Sequence, residues 1–272
     1  MFFSIYNAPT FRMVNSLKFR PMKSIQFIVM FLLATLGSSQ GISQTLPADT
    51  IQTSAGPLEI YHVGHASLYF IFNDKVIHVD PFSRMGDYST MPKADLILIT
   101  HAHPDHFDLN AIEAISKKET KIVLNQESYQ SLKKGEILKN GDKTKILGLQ
   151  IKAVPAYNIV HKRDNGEPFH PKYRDNGYVI DFADVRVYIA GDTENIPEMK
   201  DIKNVEIAFL PMNLPYTMTP EMCKSAAQMV KPKILFPYHY KMGKSDPEKF
   251  AQIMKDVPNI EVRFRQTRSE NK

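Results

Sequence analysis

Thr100-His101-Ala102-His103-Pro104-Asp105-His106-Phe107-Asp108 places three imidazoles and one carboxylate within six residues. The stretch follows the short apolar run 96–100, which reads as a strand ending abruptly in a histidine-rich loop. Residues leaving the end of one strand can turn their side chains inward together. Neutral imidazole and carboxylate are the ligands that zinc, iron and manganese accept at about 2.0–2.2 Å. The chain has nine histidines in 272 residues, so three of them in six positions are hard to read as a chance surface loop.

Outward from this loop, strands and helices alternate. Asp108 fits an N-cap, with Leu109, Ile112 and Ile115 spaced for one face of a helix. Before the loop, 58–62, 66–72 and 75–79 read as strands, with Asn73-Asp74 at a turn. After it, Asn140-Gly141 signals a hairpin, and 149–154, 178–182, 185–190 and 205–210 read as further strands. Thr219-Pro220-Glu221 and Asp246-Pro247-Glu248 each open a helix with a cap, a proline and an early acid. In the second of these helices Phe250, Ile253 and Met254 share a face. Between the two helices, 234–237 is a strand that runs straight into His239. Alternation without repeats or a low-complexity linker argues for one α/β domain.

The beginning of the chain is different. Residues 1–39 hold Arg12, Lys18, Arg20 and Lys23 and no acid, and so carry four of the net five positive charges. An apolar stretch, 25–36, follows them and ends in Gly37-Ser38-Ser39. The pattern is that of a secretory signal peptide over 1–39; a signal anchor is the alternative, disfavoured because a span needs about 20 apolar residues. Export to the periplasm or the medium is expected, with no stable membrane span after cleavage, and 40–57 reads as an exposed lead-in. The remaining chain is nearly neutral and has no long basic run, so no nucleic-acid partner is expected. Cys223 is the only cysteine, which excludes an internal disulfide and a cysteine-built structural zinc site. In its helical setting it reads as a small buried hydrophobe.

The His-x-His-x-Asp-His signature is complete. With Gly64-His65-Ala66-Ser67, Phe169-His170-Pro171-Lys172 and Ala190-Gly191-Asp192-Thr193, it resembles the metallo-β-lactamase superfamily. The resemblance runs through most of 58–240 and, within the superfamily, is nearest to the lactonase-like and phosphodiesterase-like branch. It implies a four-layer αββα sandwich over 58–272, with metals at one edge of two sheets. It further implies that His101, His103 and a later histidine hold one ion. Asp105, His106 and a final histidine, His239, would hold a second, with Asp192 bridging. Both His161 and His170 lie in the interval for the later histidine, and the His-Pro-Lys element of the branch favours His170. Asp80 matches the family's first motif, whose carboxylate steadies the ligand loop. For His65, a place in the cleft and a structural hydrogen bond both stay open, while His62 and His78 read as structural. Lys172, Tyr157 and Tyr216 are conceivable substrate contacts, although each residue type is more often a packing or surface group.

The function implied is metal-dependent hydrolysis of an ester-type bond in a small-molecule substrate, a phosphodiester or a lactone being favoured. Two divalent ions, zinc first and iron or manganese as alternatives, would supply hydroxide at neutral pH. Asp105 and Asp192 would be the catalytic carboxylates. No covalent intermediate is expected, because there is no Gly-x-Ser-x-Gly element. Two other readings share the ligand set: a di-iron redox protein and a non-catalytic metal-binding protein of the same fold. The oligomeric state is not legible in the sequence.

Overall fold

The computed structural model describes residues 48–240 and 247–265. They fall in the second of two units of the chain, Ser43–Lys272. The expected signal peptide lies outside the described residues. The expected exposed lead-in differs from the structure in its second half, where Ala48–Thr53 forms β1 and Asp49 is buried. Its polar sequence hides the strand, because an edge strand needs only one apolar side.

Two seven-stranded sheets make up this unit. The first runs β1, β2 (Gly56–Gly64), β3 (Ser67–Phe72), β4 (Lys75–Val79), β5 (Leu96–Leu98), β6 (Lys121–Leu124) and β7 (Glu136–Ile137), side by side in chain order. β1 to β4 pair antiparallel and β4 to β7 parallel. The second sheet contains β8 (Lys143–Ile146), β9 (Leu149–Ala156), β10 (Asp175–Phe182), β11 (Val185–Ile189), β12 (Ile207–Pro211), β13 (Ile234–Tyr238) and β14 (Glu261–Val262). It repeats the plan, antiparallel from β8 to β11 and parallel from β11 to β14. Asn140-Gly141 does form a turn, but it lies between strands of different sheets; the hairpin turn of β8 and β9 is at Leu147-Gly148.

One apolar cluster fills the space between the sheets, with Phe70, Phe182, Phe209 and Phe236 fully or almost fully buried in it. Each such side chain contributes about 1.5–3 kcal/mol on burial. A second cluster joins the outer face of the second sheet to α3 (Pro220–Val230) and α4 (Pro247–Met254). A third joins the first sheet to α1 (Leu109–Ile115), and Tyr129 and Leu132 of α2 (Gln126–Leu132) pack against it. The result is helices, sheet, sheet, helices. Asp108 caps α1 by accepting from Asn110 N at 2.9 Å, and Thr219 caps α3 by accepting from Met222 N at 3.1 Å. Leu109 departs from the expected buried face: it is exposed, and Ala111 takes its place beside Ile112 and Ile115. Cys223 is buried in α3, and burial pushes its thiol well above the ordinary value. Parallel strands send their carboxyl ends to one edge of the sandwich, where loops converge.

Candidate metal centre

Asp80, immediately after β4, is the anchor of the histidine loop. Its Oδ1 accepts from Thr100 N at 2.8 Å, and its Oδ2 accepts from Thr100 Oγ1 at 2.6 Å and His106 Nδ1 at 2.8 Å. The last bond holds a proton of His106 on Nδ1 and turns Nε2 into the site. Thr100 Oγ1 stands 3.0 Å from His101 Nδ1 and, having donated to Asp80, accepts there. In the second half of the protein two asparagines stand against histidine Nδ1 atoms. His170 Nδ1 donates to Asn158 Oδ1 at 2.8 Å, while the Asn213 amide stands 3.1 Å from His239 Nδ1. With its oxygen toward the ring, Asn213 would accept the Nδ1 proton as Asn158 does. Such partners orient ligands and raise their basicity.

The freed atoms form two groups. His101 Nε2 lies 3.0 Å from His103 Nδ1, which lies 3.2 Å from His170 Nε2, which in turn lies 3.4 Å from Asp192 Oδ2. In the second group His106 Nε2 and His239 Nε2 are 3.0 Å apart, and each is 3.4 Å from Asp192 Oδ1. Asp105 Oδ2 completes it at 3.9 and 3.7 Å from the same two nitrogens. Ligand atoms on tetrahedral bonds of about 2.1 Å sit about 3.4 Å apart. Both groups fit such an ion. Asp192 Oδ1 is buried with no hydrogen-bond partner, a costly state that a cation would relieve.

Backbone geometry aims these side chains. His65, Asp80 and His239 all take left-handed φ, at 54°, 44° and 51°, a conformation that non-glycine residues adopt at a cost and mainly at functional sites. Gly191, at φ 66°, turns Asp192 inward; a Cβ there would stand 2.7 Å from the Asn176 carbonyl oxygen. His65 Nε2 is 2.9 Å from Asp105 Oδ2, its carbonyl accepts from His239 N at 2.9 Å, and its ring lies 3.7 Å from that of His239. His65 thus joins the second group, where its side chain could brace the others or itself offer a ligand atom.

Electrostatics agree with a site made for cations. Burial pulls His101 and His170 well down, and with neighbouring charge takes His103 to about 4 and His239 to about 3. These imidazoles are neutral, the form metals bind. Burial raises Asp192 to about 7. Burial also works against a charged His106, but the carboxylates of Asp192, Asp80 and Asp105 outweigh it and hold the ring at about 10, so that its second proton is one a bound cation would displace. Burial opposes ionisation of Asp105 too, yet bonds from His239 and His65 keep its carboxyl well below the usual range. Asp105 is the reachable carboxylate, with 37% of its side chain exposed against 4% for Asp192.

The structure brings together all seven residues singled out as ligands: His101, His103, Asp105, His106, His170, Asp192 and His239. His161 is placed apart from them, with Nδ1 2.7 Å from Glu194 Oε1. Lys172 and Tyr157 are bonded to Glu198, and Tyr216 meets Phe169 edge-on. His78 bonds the Pro92 carbonyl and His62 pairs with Asp49, both away from the cluster. Three residues with no sequence signal prove important: Asn158, Asn213 and the buried Glu194, which holds the loop 158–161.

The chain matches the family described as "Beta-lactamase superfamily domain" over residues 59–239. It is 32% identical over 223 residues to a UPF0173 metal-dependent hydrolase of Thermococcus onnurineus, covering 75% of this chain and 95% of that one. Among solved structures it is similar to a protein described as a metal-dependent hydrolase from Parabacteroides distasonis. The TM-score there is 0.76 and the identity 48%, over 81% of this chain and 98% of that one. A metallo hydrolase from Ignicoccus hospitalis superposes with TM-score 0.63 at 26% identity, over 77% and 95% of the two chains.

Proposed function

This chain belongs to the β-lactamase superfamily domain family and to the metal-dependent hydrolases of the metallo-β-lactamase fold, and on that premise we propose that it cleaves an ester-type bond, a phosphodiester or a lactone, at a two-ion centre. One observation carries the two-ion reading. The two oxygens of Asp192 face different nitrogen groups, Oδ2 toward His170 and Oδ1 toward His106 and His239. Divalent ions, zinc first, would supply Lewis acidity there and a water acidic enough to attack at neutral pH.

The residues themselves do the rest. Asp80, Thr100 and Asn158 hold three imidazoles with Nε2 turned inward, and Asn213, with its amide turned over, would do the same for His239. Asp192, buried, fixes the spacing between the two groups. Asp105, partly exposed, would orient the attacking water through Oδ1, since Oδ2 is held by His65. Cys223 takes no part, being buried in α3. The proposal extends to export: residues 1–39 would direct the chain across the inner membrane, and cell fractionation with N-terminal sequencing tests this. Among the described residues no helix is long and apolar enough to cross a membrane.

The decisive experiment measures bound metal on purified chain, with hydrolysis of bis(4-nitrophenyl) phosphate and of a γ-lactone alongside. About two ions per chain, with Asp192→Ala retaining at most one and losing turnover, is the expected result. A wild-type protein that takes up no metal after reconstitution would overturn the reading.

A further inference from the structure

Exposed hydrophobic residues are normally scattered singly over a protein surface. Here they gather beside the metal centre. Among the described residues seven large apolar side chains are exposed, and four of them sit on two loops: Ile159 and Val160 after β9, Leu214 and Tyr216 after β12. Val160 is 66% exposed. Both loops are bonded to metal-ligand histidines, through Asn158 to His170 and through Asn213 to His239. They also touch each other. Asn158 Nδ2 donates to the Tyr216 carbonyl at 2.9 Å, and Phe169, next to His170, meets the Tyr216 ring at 5.0 Å.

The first loop cannot fold its apolar groups inward. Glu194, with no exposed surface, accepts from the backbone N–H groups of Ile159, Val160 and His161 at 2.8, 2.7 and 2.7 Å. A buried carboxylate is tolerable only when so bonded, and these bonds turn the loop's backbone inward and leave Ile159 and Val160 outside. Such a rigid apolar shelf costs little to order when a ligand settles on it. One cation stands beside it. The Arg163 guanidinium lies 5.0 Å over the Phe169 ring, and among the described residues no carboxylate pairs with it. Exposed apolar side chains on two loops bonded to the candidate ligands, with a guanidinium beside them, are complementary to an anion carrying an apolar group.

We propose that the loops around Val160 and Leu214 bind the apolar substituent of an anionic ester while Arg163 takes up its negative charge, so that the preferred substrates are aryl or long-alkyl phosphodiesters. Neutral lactones use only half of this surface. The inference rests on the metal-hydrolase reading and narrows it.

Calorimetric titration of the metal-loaded full chain with diphenyl phosphate and dimethyl phosphate tests it. The diphenyl ester should bind at least about tenfold more tightly, by the burial of two rings. Val160→Asp and Leu214→Asp, both at exposed positions, should abolish that preference by weakening diphenyl phosphate far more than dimethyl phosphate. Arg163→Gln should weaken both esters. In turnover, bis(4-nitrophenyl) phosphate should exceed methyl 4-nitrophenyl phosphate in kcat/KM by a similar factor. Equal affinities for the two diesters, or a preference that survives both aspartate variants, overturns the shelf. Faster turnover of a phenyl-substituted lactone overturns the anionic half. If the loaded chain hydrolyses none of these esters, it is the hydrolase reading that fails.

Discussion

The two halves of the protein supply the centre differently. In the first half four ligands leave a single loop, and one carboxylate, Asp80, holds both Thr100 and His106. In the second half His170 comes from the long loop between β9 and β10, and Asp192 and His239 from the ends of β11 and β13. Asn158 holds the first and Asn213 the last, and the Gly191 turn before Asp192 is bonded at its N–H by Tyr238 OH at 2.9 Å. A common hub would make the first half cooperative, so that damage to Asp80 spreads to both groups of candidate ligands. Independent anchors make the second half divisible.

Asp80→Ala should show the largest effect. Removing a fully buried acceptor strands two donors of Thr100 and the Nδ1 proton of His106. The expected loss is about 3–5 kcal/mol of stability, with both ions released, as read by urea unfolding and metal analysis. Release of only one ion would break the picture of a single hub.

Acid should come next. The first half buries a histidine outside the centre: burial pulls His78 down to about 4, against the opposing bond to the Pro92 carbonyl. The unfolded chain takes up a proton near pH 6.5, the folded chain only near 4. The contribution is therefore complete above pH 6.5 and is lost as pH falls toward 4, amounting to about 3 kcal/mol. His78→Gln should flatten the stability curve across that window in unfolding titrations. An unchanged slope would move the acid sensitivity to the ligand histidines.

The smallest effects should separate the anchors. Asn158→Ala should weaken one ion by about 10–100-fold and Asn213→Ala the other by a similar factor, each leaving its neighbour nearly untouched. Competition titrations with a chromophoric chelator resolve the two affinities. If either substitution weakened both ions equally, the second half would be as cooperative as the first.

This contrast also explains what could be read in advance. Apolar runs bounded by turn residues mark most strands, and Thr219 with Pro220 marks α3, because capping is local chemistry. β1 escaped because Ala48–Thr53 is a mostly polar edge strand, and Leu109 was misplaced because a first-turn residue can swing out of the face its spacing suggests. Asn140-Gly141 has the chemistry of a turn, but which strands a turn joins is not encoded in two residues. Asn158, Asn213 and Glu194 are ordinary polar residues whose partners lie 12, 26 and 33 to 36 positions away.

By itself the sequence determined the ligand loop, the alternation of strands and helices, and the donor chemistry of a metal site. Those depend on residues close together in the chain, whose geometry is set by local backbone. Only the tertiary structure decided that His170 rather than His161 joins the cluster, that His65 joins it too, and that the two oxygens of Asp192 face opposite groups. His106 and His239 stand 133 positions apart. Their meeting follows from the packing of two sheets and the register of parallel strands, and no local preference in the chain specifies it.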